Sequence, residues 1–374
     1  MKKMKYTAGV ILALFLMVVI SCQLESDIKI GFSGSISGRN STLGLGVKDG
    51  VVLAVDTINE EGGVNGRELE LIIKDDENSP EKAREVDREL IEEGVVAIIG
   101  HVTSAMSQAA LPVVNQENML LLSPTTSSKR VTGMKDNLIS AHPPNDRQQE
   151  MLADYLLKET DIRTVSVIYD TSNDPFSSYW LEFFSSRYEG KGGRILSTVS
   201  YDSKVIDEVI MKKTKRLLEK DPDAVLIISS AIDTATICQQ IDKQGGDVRK
   251  LSSGWAKDET LLHLGGKAVE SILIPGPFRE KTETYQSFQE GIMERYGRKP
   301  GFAETFGYET MLVLYEAMLA VEEIEPMALK EEILSDRQFK GLRDSIVFNE
   351  YGEVVDTIQL FTVRDNQFER IVNQ

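Results

Sequence analysis

Cysteine is nearly absent from this chain: two in 374 residues leave no disulfide framework and no CxxC metal site. Positive charge is also short, with 42 Lys and Arg against 59 Asp and Glu and a formal net charge of −17. Nucleic acid is held mainly by Lys and Arg contacts to phosphate, and no basic cluster or basic-aromatic stripe offsets the acid, so a nucleic-acid partner is excluded. The strings that mark common catalytic sites are missing as well. There is no G-x-x-x-x-G-K-[ST] and no G-x-S-x-G, and His101, His142 and His263 show no H-E-x-x-H spacing. Gly44-x-Gly46-x-x-x-Gly50 is not the dinucleotide fingerprint and starts well after the first candidate strand; these glycines read as contacts for close helix packing. A non-enzymatic protein without metal or cofactor is expected. Finally, no Pro/Gly/Ser-rich linker divides the chain. Its length exceeds what one core usually supports, so two domains that share intimate crossings are expected.

The amino terminus is informative. Lys2, Lys3 and Lys5 precede an uncharged, almost wholly apolar run over residues 8–20, the layout of a signal peptide. A membrane-spanning helix needs about 20 apolar residues, and this run is too short. It ends in Val19-Ile20-Ser21-Cys22, which resembles the lipobox of bacterial lipoproteins. That resemblance implies a signal peptide over 1–21, a lipid anchor on Cys22, a linker over 22–27 and an extracytoplasmic, membrane-anchored protein. Cleavage would remove three lysines and no acid, leaving the mature chain more acidic still. Cys238 is then the one remaining cysteine and reads as a buried core thiol.

From Ile28 onward, short aliphatic or β-branched runs alternate with amphipathic helical stretches, the signature of a parallel α/β sheet. The expected strands are Ile28–Ser33, Leu69–Asp75, Val95–Gly100 and Met119–Ser123, then Thr164–Asp170, Arg194–Ser200, Asp223–Ser229 and Leu251–Gly254. Val47, Val51, Val55 and Ile58 mark the first helix by their spacing, and Pro80 and Gly94 bracket the second. Further helices are expected at 177–189, 205–219, 233–245, 281–296 and 304–324, with late strands near Ser345–Phe348, Thr357–Val363 and Phe368–Val372. Two similar βα halves predict two α/β lobes. The tail is longer than either half needs, so the chain should return to finish both.

Ligands of open α/β sheets bind beyond the carboxyl ends of the strands. Three loops there are rich in hydroxyls: Ser33 to Gly38, His101 to Ser104, and Pro124 to Ser128. Short donors at helix starts suit a carboxylate or other small anion. They equally suit helix capping, which uses the same geometry.

The string Ile58-Asn59-x-x-Gly62-Gly63-Val64-Asn65-Gly66-Arg67, with Asp75-Asp76, Ile98-Ile99-Gly100-His101-x-x-Ser104, Ser123-Pro124-Thr125-Thr126-Ser127, Gly265 to Glu270 and Phe306-Gly307-Tyr308-Glu309, resembles the branched-chain amino acid binding proteins of ABC transporters. The resemblance covers nearly the whole mature chain. It implies a type I periplasmic binding fold, two doubly wound lobes joined by three crossovers, in a protein that passes a small ligand to a membrane permease; a monomer is the default expectation. The crossovers would lie near Pro143–Asn145, Pro275–Phe278 and Gln338–Leu342, giving one lobe over 28–143 and 278–338 and another over 144–277 and 339–374. The resemblance places the ligand carboxylate on Ser104, Thr125 and Ser127, with Tyr169 or Phe176 as a facing aromatic.

One departure bears on the ligand. The family's G-P-E-G segment, whose glutamate holds an ammonium, reads Gly254-Trp255-Ala256-Lys257 here. An ammonium buried without a counter-charge is costly. Either Asp258, Asp233 or Asp174 replaces the glutamate, or the ligand, an amino acid or a related acid, has no ammonium; Asp233 also reads as a helix cap. Trp255 reads either as a flat surface against the ligand or as a core or hinge residue, Phe302 as part of the apolar wall or as packing at a helix start, and Leu43 stands where some relatives of the family supply an aromatic wall. A sensory module for a signalling partner is the alternative to transport, and the absence of a second membrane-spanning run leans toward transport.

Overall fold

The computed structural model describes residues 26–39, 41–277, 282–342 and 345–372. The expected signal peptide, Cys22 and Phe278 lie outside them. No helix among the described residues is long and apolar enough to cross a membrane.

The first lobe is built on five parallel strands, β1 (Ile28–Gly34), β2 (Leu69–Asp75), β3 (Ile98–Gly100), β4 (Leu121–Ser123) and β5 (Leu138–Ser140), in the order β2-β1-β3-β4-β5. Adjacent residues feed opposite faces, as the two-residue period of a strand requires. Ile99 and Leu122 join one core with Ile30 and Phe32, while Ile98 and Leu121 join another with Leu90, Ala110 and Val114. Helices α1 (Ser41–Glu60), α2 (Pro80–Glu92) and α3 (Ser104–Gln116) follow the strands. With both faces covered the strands read as continuous apolar runs, which is why they were legible.

After α4 (Asp146–Glu159) the second lobe repeats the plan. Its strands are β6 (Thr164–Asp170), β7 (Arg194–Tyr201), β8 (Ala224–Ile228), β9 (Arg249–Ser252) and β10 (Leu273–Pro277). They stand in the order β7-β6-β8-β9-β10, the same switch of direction as in the first lobe, and β13 (Ile358–Arg364) and β14 (Gln367–Arg370) extend the sheet antiparallel. Helices α5 (Asp174–Glu189), α6 (Ile206–Leu218), α7 (Ala231–Lys243) and α8 (Glu259–Gly265) flank it. Cys238 is fully buried in this lobe's core, where burial pushes its thiol up to about 12.

The chain then returns to the first lobe with α9 (Glu283–Tyr296), α10 (Phe302–Ala320) and α11 (Pro326–Asp336). Helices α1 and α10 meet almost backbone to backbone. A Cβ at Gly50 would sit 2.1 Å from the Glu304 carbonyl oxygen, and one at Gly307 would sit 2.3 Å from that of Val47. Gly46 and Gly50 of the first helix therefore serve helix packing, whereas Gly44 lies against the backbone of Ser35, in the turn after β1.

The third passage between lobes lies later than the expected Gln338–Leu342. Strand β11 (Gln338–Lys340) pairs with β12 (Ser345–Val347) as a hairpin on the first lobe. Phe339, Leu342, Ile346, Phe348 and Val354 all belong to that lobe's core, and Glu353 bridges to Ser140. Only from Ile358 does the chain join the second sheet. The lobe boundary at 339 is thus corrected to a passage between Val354 and Ile358. Alternation in the sequence marks a strand without saying which core receives it.

Candidate functional site

The carboxyl ends of the two sheets face each other, and two adjoining cavities lie between them. Leu43, Trp255 and Phe302 border both. Each comes from the start of an element: Leu43 from the first turn of α1, Phe302 from the start of α10, and Trp255 from the turn after β9. The glycine contacts between α1 and α10 set the separation of the first two.

One cavity is walled by Val102, Ser104, Thr125 and Ser127 of the first lobe, His142 and Gln148 of the first crossing, and Asn173, Phe176 and Gly254 beyond it. Ser104 opens α3, whose cap is the neighbouring Thr103, accepting from the Met106 N–H. The side chains of Ser104 and Ser127 are 2% exposed and make no hydrogen bond to any described residue, so both hydroxyls are available to a ligand. Thr125 differs. Its hydroxyl donates to the Val102 carbonyl at 2.6 Å, which leaves it no proton for a carboxylate. The Ala105 N–H, in the first turn of α3, donates to Oδ1 of Asn173 at 3.1 Å. An oxygen from the opposite lobe thus rests at the positive end of the helix. Trp255 meets Phe176 edge-on at 5.6 Å, and Gln148 Oε1 accepts from the Gly254 N–H.

The other cavity is bordered by Arg39, Thr42, Thr103, Ser230, Ala231, Ile232, Asp258 and Ala303. Its apolar side chains continue the surface begun by Leu43, Trp255 and Phe302. Asp258 caps α8 by accepting from the Thr260 N–H.

Beneath the first cavity His101 is entirely buried, with Nδ1 2.8 Å from Asp76 and Nε2 3.1 Å from Asp87. Burial opposes its charge, yet the charge of Asp87 and the bonds to both carboxylates outweigh it and raise the ring to about 10. Ser35 donates to Asp76, and Ser123 donates to the His101 carbonyl. This knot ties together the ends of β1, β3 and β4. It explains where Ser33 and Ser35 of the first loop are used, and it fixes the backbone that presents Ser104.

Of the residues expected from sequence, Ser104, Thr125, Ser127, Phe176 and Trp255 meet on one cavity wall. Tyr169, Asp174 and Asp233 do not line either cavity. Tyr169 packs half-buried against the core beside α4 and α5, and Asp174 is exposed at the start of α5. Asp233 is buried below the surface of the cleft and is not the helix cap, a place held by Ser230. Its carboxylate accepts from Arg39 Nε at 2.9 Å, across the cleft, and from the Tyr201 hydroxyl at 3.0 Å. Burial, and then the charge of Asp233, hold the Tyr201 phenol well above its ordinary range. Asp170 lies near, pushed up to about 6 chiefly by burial, with the Asp233 charge acting in the same direction. Arg39, Gln148 and Asn173 carry no signal in the sequence: Arg39 and Asn173 gain their partners only when the lobes face each other, and Gln148 meets Gly254 only when the second lobe folds.

The model of the periplasmic binding protein family matches residues 27–367. A leucine-, isoleucine-, valine-, threonine- and alanine-binding protein of Pseudomonas aeruginosa is 31% identical over 144 residues, 38% of this chain and 39% of that protein. The first curated relatives are matched over less than half of their own length. A leucine binding protein of Thermotoga maritima superposes with a TM-score of 0.84 at 24% identity, covering 92% of this chain and 98% of that one. A solute binding protein of R. palustris, solved with benzoate, superposes with a TM-score of 0.81 at 16% identity, covering 92% and 96%. The fold is therefore shared by proteins with chemically different ligands.

Proposed function

Since the chain belongs to the periplasmic binding protein family, we propose that it is the extracytoplasmic solute-binding component of an ABC importer, anchored through a lipid on Cys22. It binds a small carboxylate-bearing ligand between its lobes and performs no chemistry on it. The observation that carries this reading is the pair of unpartnered hydroxyls on one cavity wall, Ser104 at the positive end of α3 and Ser127 beside it on that wall. The names of relatives that bind amino acids, and of a structural neighbour that binds benzoate, agree with a carboxylate cargo.

Closure follows from where the walls come from. Ser104 and Ser127 belong to one lobe and Phe176 and Trp255 to the other, so a ligand touching all four binds the closed form more tightly than the open one. That difference shifts the population toward closure. Contacts already bridging the cleft set the starting equilibrium: Ala105 with Asn173, Arg39 with Asp233, and Ser128, whose hydroxyl donates to the Pro175 carbonyl. The closed form is what a permease would recognise.

Calorimetric titration of wild type and of Ser104→Ala/Ser127→Ala with amino acids and amine-free acids tests the site. Binding lost in the double variant supports it, and affinity unchanged there overturns it. Fractionation of cells carrying Cys22→Ser tests the anchor: the protein should leave the membrane fraction.

A further inference from the structure

We infer that the ligand carries no charged amine beside its carboxylate: the site takes an amine-free acid with an apolar body. This rests on the reading that Ser104 and Ser127 hold the carboxylate.

An α-ammonium lies one carbon from the carboxylate, so it would enter the same cavity. Among the described residues, no Asp or Glu borders that cavity. Three neutral acceptors there each already take a hydrogen bond from within the protein, and none of them brings a negative charge. Asn173 Oδ1 takes the Ala105 N–H, Gln148 Oε1 takes the Gly254 N–H, and the Val102 carbonyl takes the Thr125 hydroxyl. His142 Nδ1 bonds the Pro143 carbonyl, and its ring meets Phe306 at a tilt of 42°.

The acids proposed as replacements for the absent glutamate are each directed elsewhere. Asp174 is exposed at the start of α5. Asp233 is fully buried and held by Arg39 and Tyr201. Asp258 borders the farther of the two cavities, past Leu43, Trp255 and Phe302, and not the nearer one, and its carboxylate caps α8. Ala256, next in sequence to Trp255, is buried in the second lobe's core. An ammonium in the nearer cavity would lose its water and gain no counter-charge, which is strongly unfavourable. The shared wall of Leu43, Trp255 and Phe302 instead suits an aliphatic or aromatic body, which can extend toward Ala231, Ile232 and Ala303.

Matched pairs decide the matter: leucine against 4-methylpentanoate, valine against 3-methylbutanoate, and phenylalanine against 3-phenylpropanoate. Thermal unfolding is followed for the chain from Gln23 onward, which retains every described residue and all of both cores. The expected result is a rise of several degrees with the amine-free member of at least one pair, none with its amino acid, and loss of the rise in Ser104→Ala/Ser127→Ala. A rise with the amino acid that equals or exceeds its partner's and vanishes in the double variant overturns the inference while leaving the carboxylate site standing. A rise that survives in the double variant overturns the carboxylate site itself, and no rise with any member of the three pairs overturns both.

Discussion

Arg39 of the first lobe reaches across the cleft to Asp233 of the second, Nε to Oδ1 at 2.9 Å, and the carboxylate it meets is wholly buried. An ion pair spanning two bodies that must separate is a bias on their equilibrium. Arg39 is 29% exposed, so solvent weakens the pair and its contribution stays modest. Arg39→Ala should open the ligand-free protein and weaken binding by about tenfold, roughly 1.4 kcal/mol. Small-angle scattering reads the opening and calorimetry the affinity; a variant as closed and as tight as wild type would show that the pair is incidental.

His101 gives the fold a pH dependence with a definite sign. Its folded value is about 10 against an ordinary 6.5, so the native state holds a proton that the unfolded chain releases sooner. The stability it contributes is complete below about pH 6.5 and is lost as pH rises toward 10. Urea midpoints measured across that window should fall in wild type. His101→Gln should remove this part of the slope and cost about 3–5 kcal/mol, because two buried carboxylates lose their cation.

Asp170 acts in the same direction in a more acidic window. Its folded value of about 6 lies above the ordinary 3.8, so its contribution is complete below 3.8 and lost as pH rises through 6. Asp170→Asn should flatten the pH dependence of unfolding between those limits. A slope identical to wild type there would contradict the placement of this carboxyl.

Gly50→Ala tests the seam between α1 and α10. The added carbon would lie 2.1 Å from the Glu304 carbonyl and 2.9 Å from the Tyr308 nitrogen, both backbone atoms that cannot yield without moving a helix. Destabilisation of about 3 kcal/mol is expected. Ligand affinity should fall with it, since the same seam spaces Leu43 and Phe302. Wild-type stability in the variant would refute so close an approach.

The fold was largely legible because both sheets are buried on two faces, so that runs such as Val165 to Ile168 or Val225 to Ile228 announce strands without ambiguity. Shorter elements escaped: β5 has three residues, and α11 begins at a proline after a charged stretch. The destination of the tail was misjudged because Phe339 and Phe348 fit either core by chemistry, and only packing chose the first. At the site, hydroxyls that follow strands in one lobe include Ser104 and Ser127, which share a wall of the first cavity. Tyr169, Asp174 and Asp233 were placed by nearness to a strand end, and strand-end position does not say which way a side chain turns. Asn173 and Gln148 carried no signal of their own, since their partners lie 68 and 106 residues away in sequence.

The central claim is that one small acid draws the two lobes together through Ser104 and Ser127. Small-angle scattering of wild type and of Ser104→Ala/Ser127→Ala, each with and without 3-phenylpropanoate or 4-methylpentanoate, measures this directly. Wild type should contract with the acid, and the double variant should keep its ligand-free dimensions. Equal contraction in both proteins, or none in wild type at saturating acid, would contradict it.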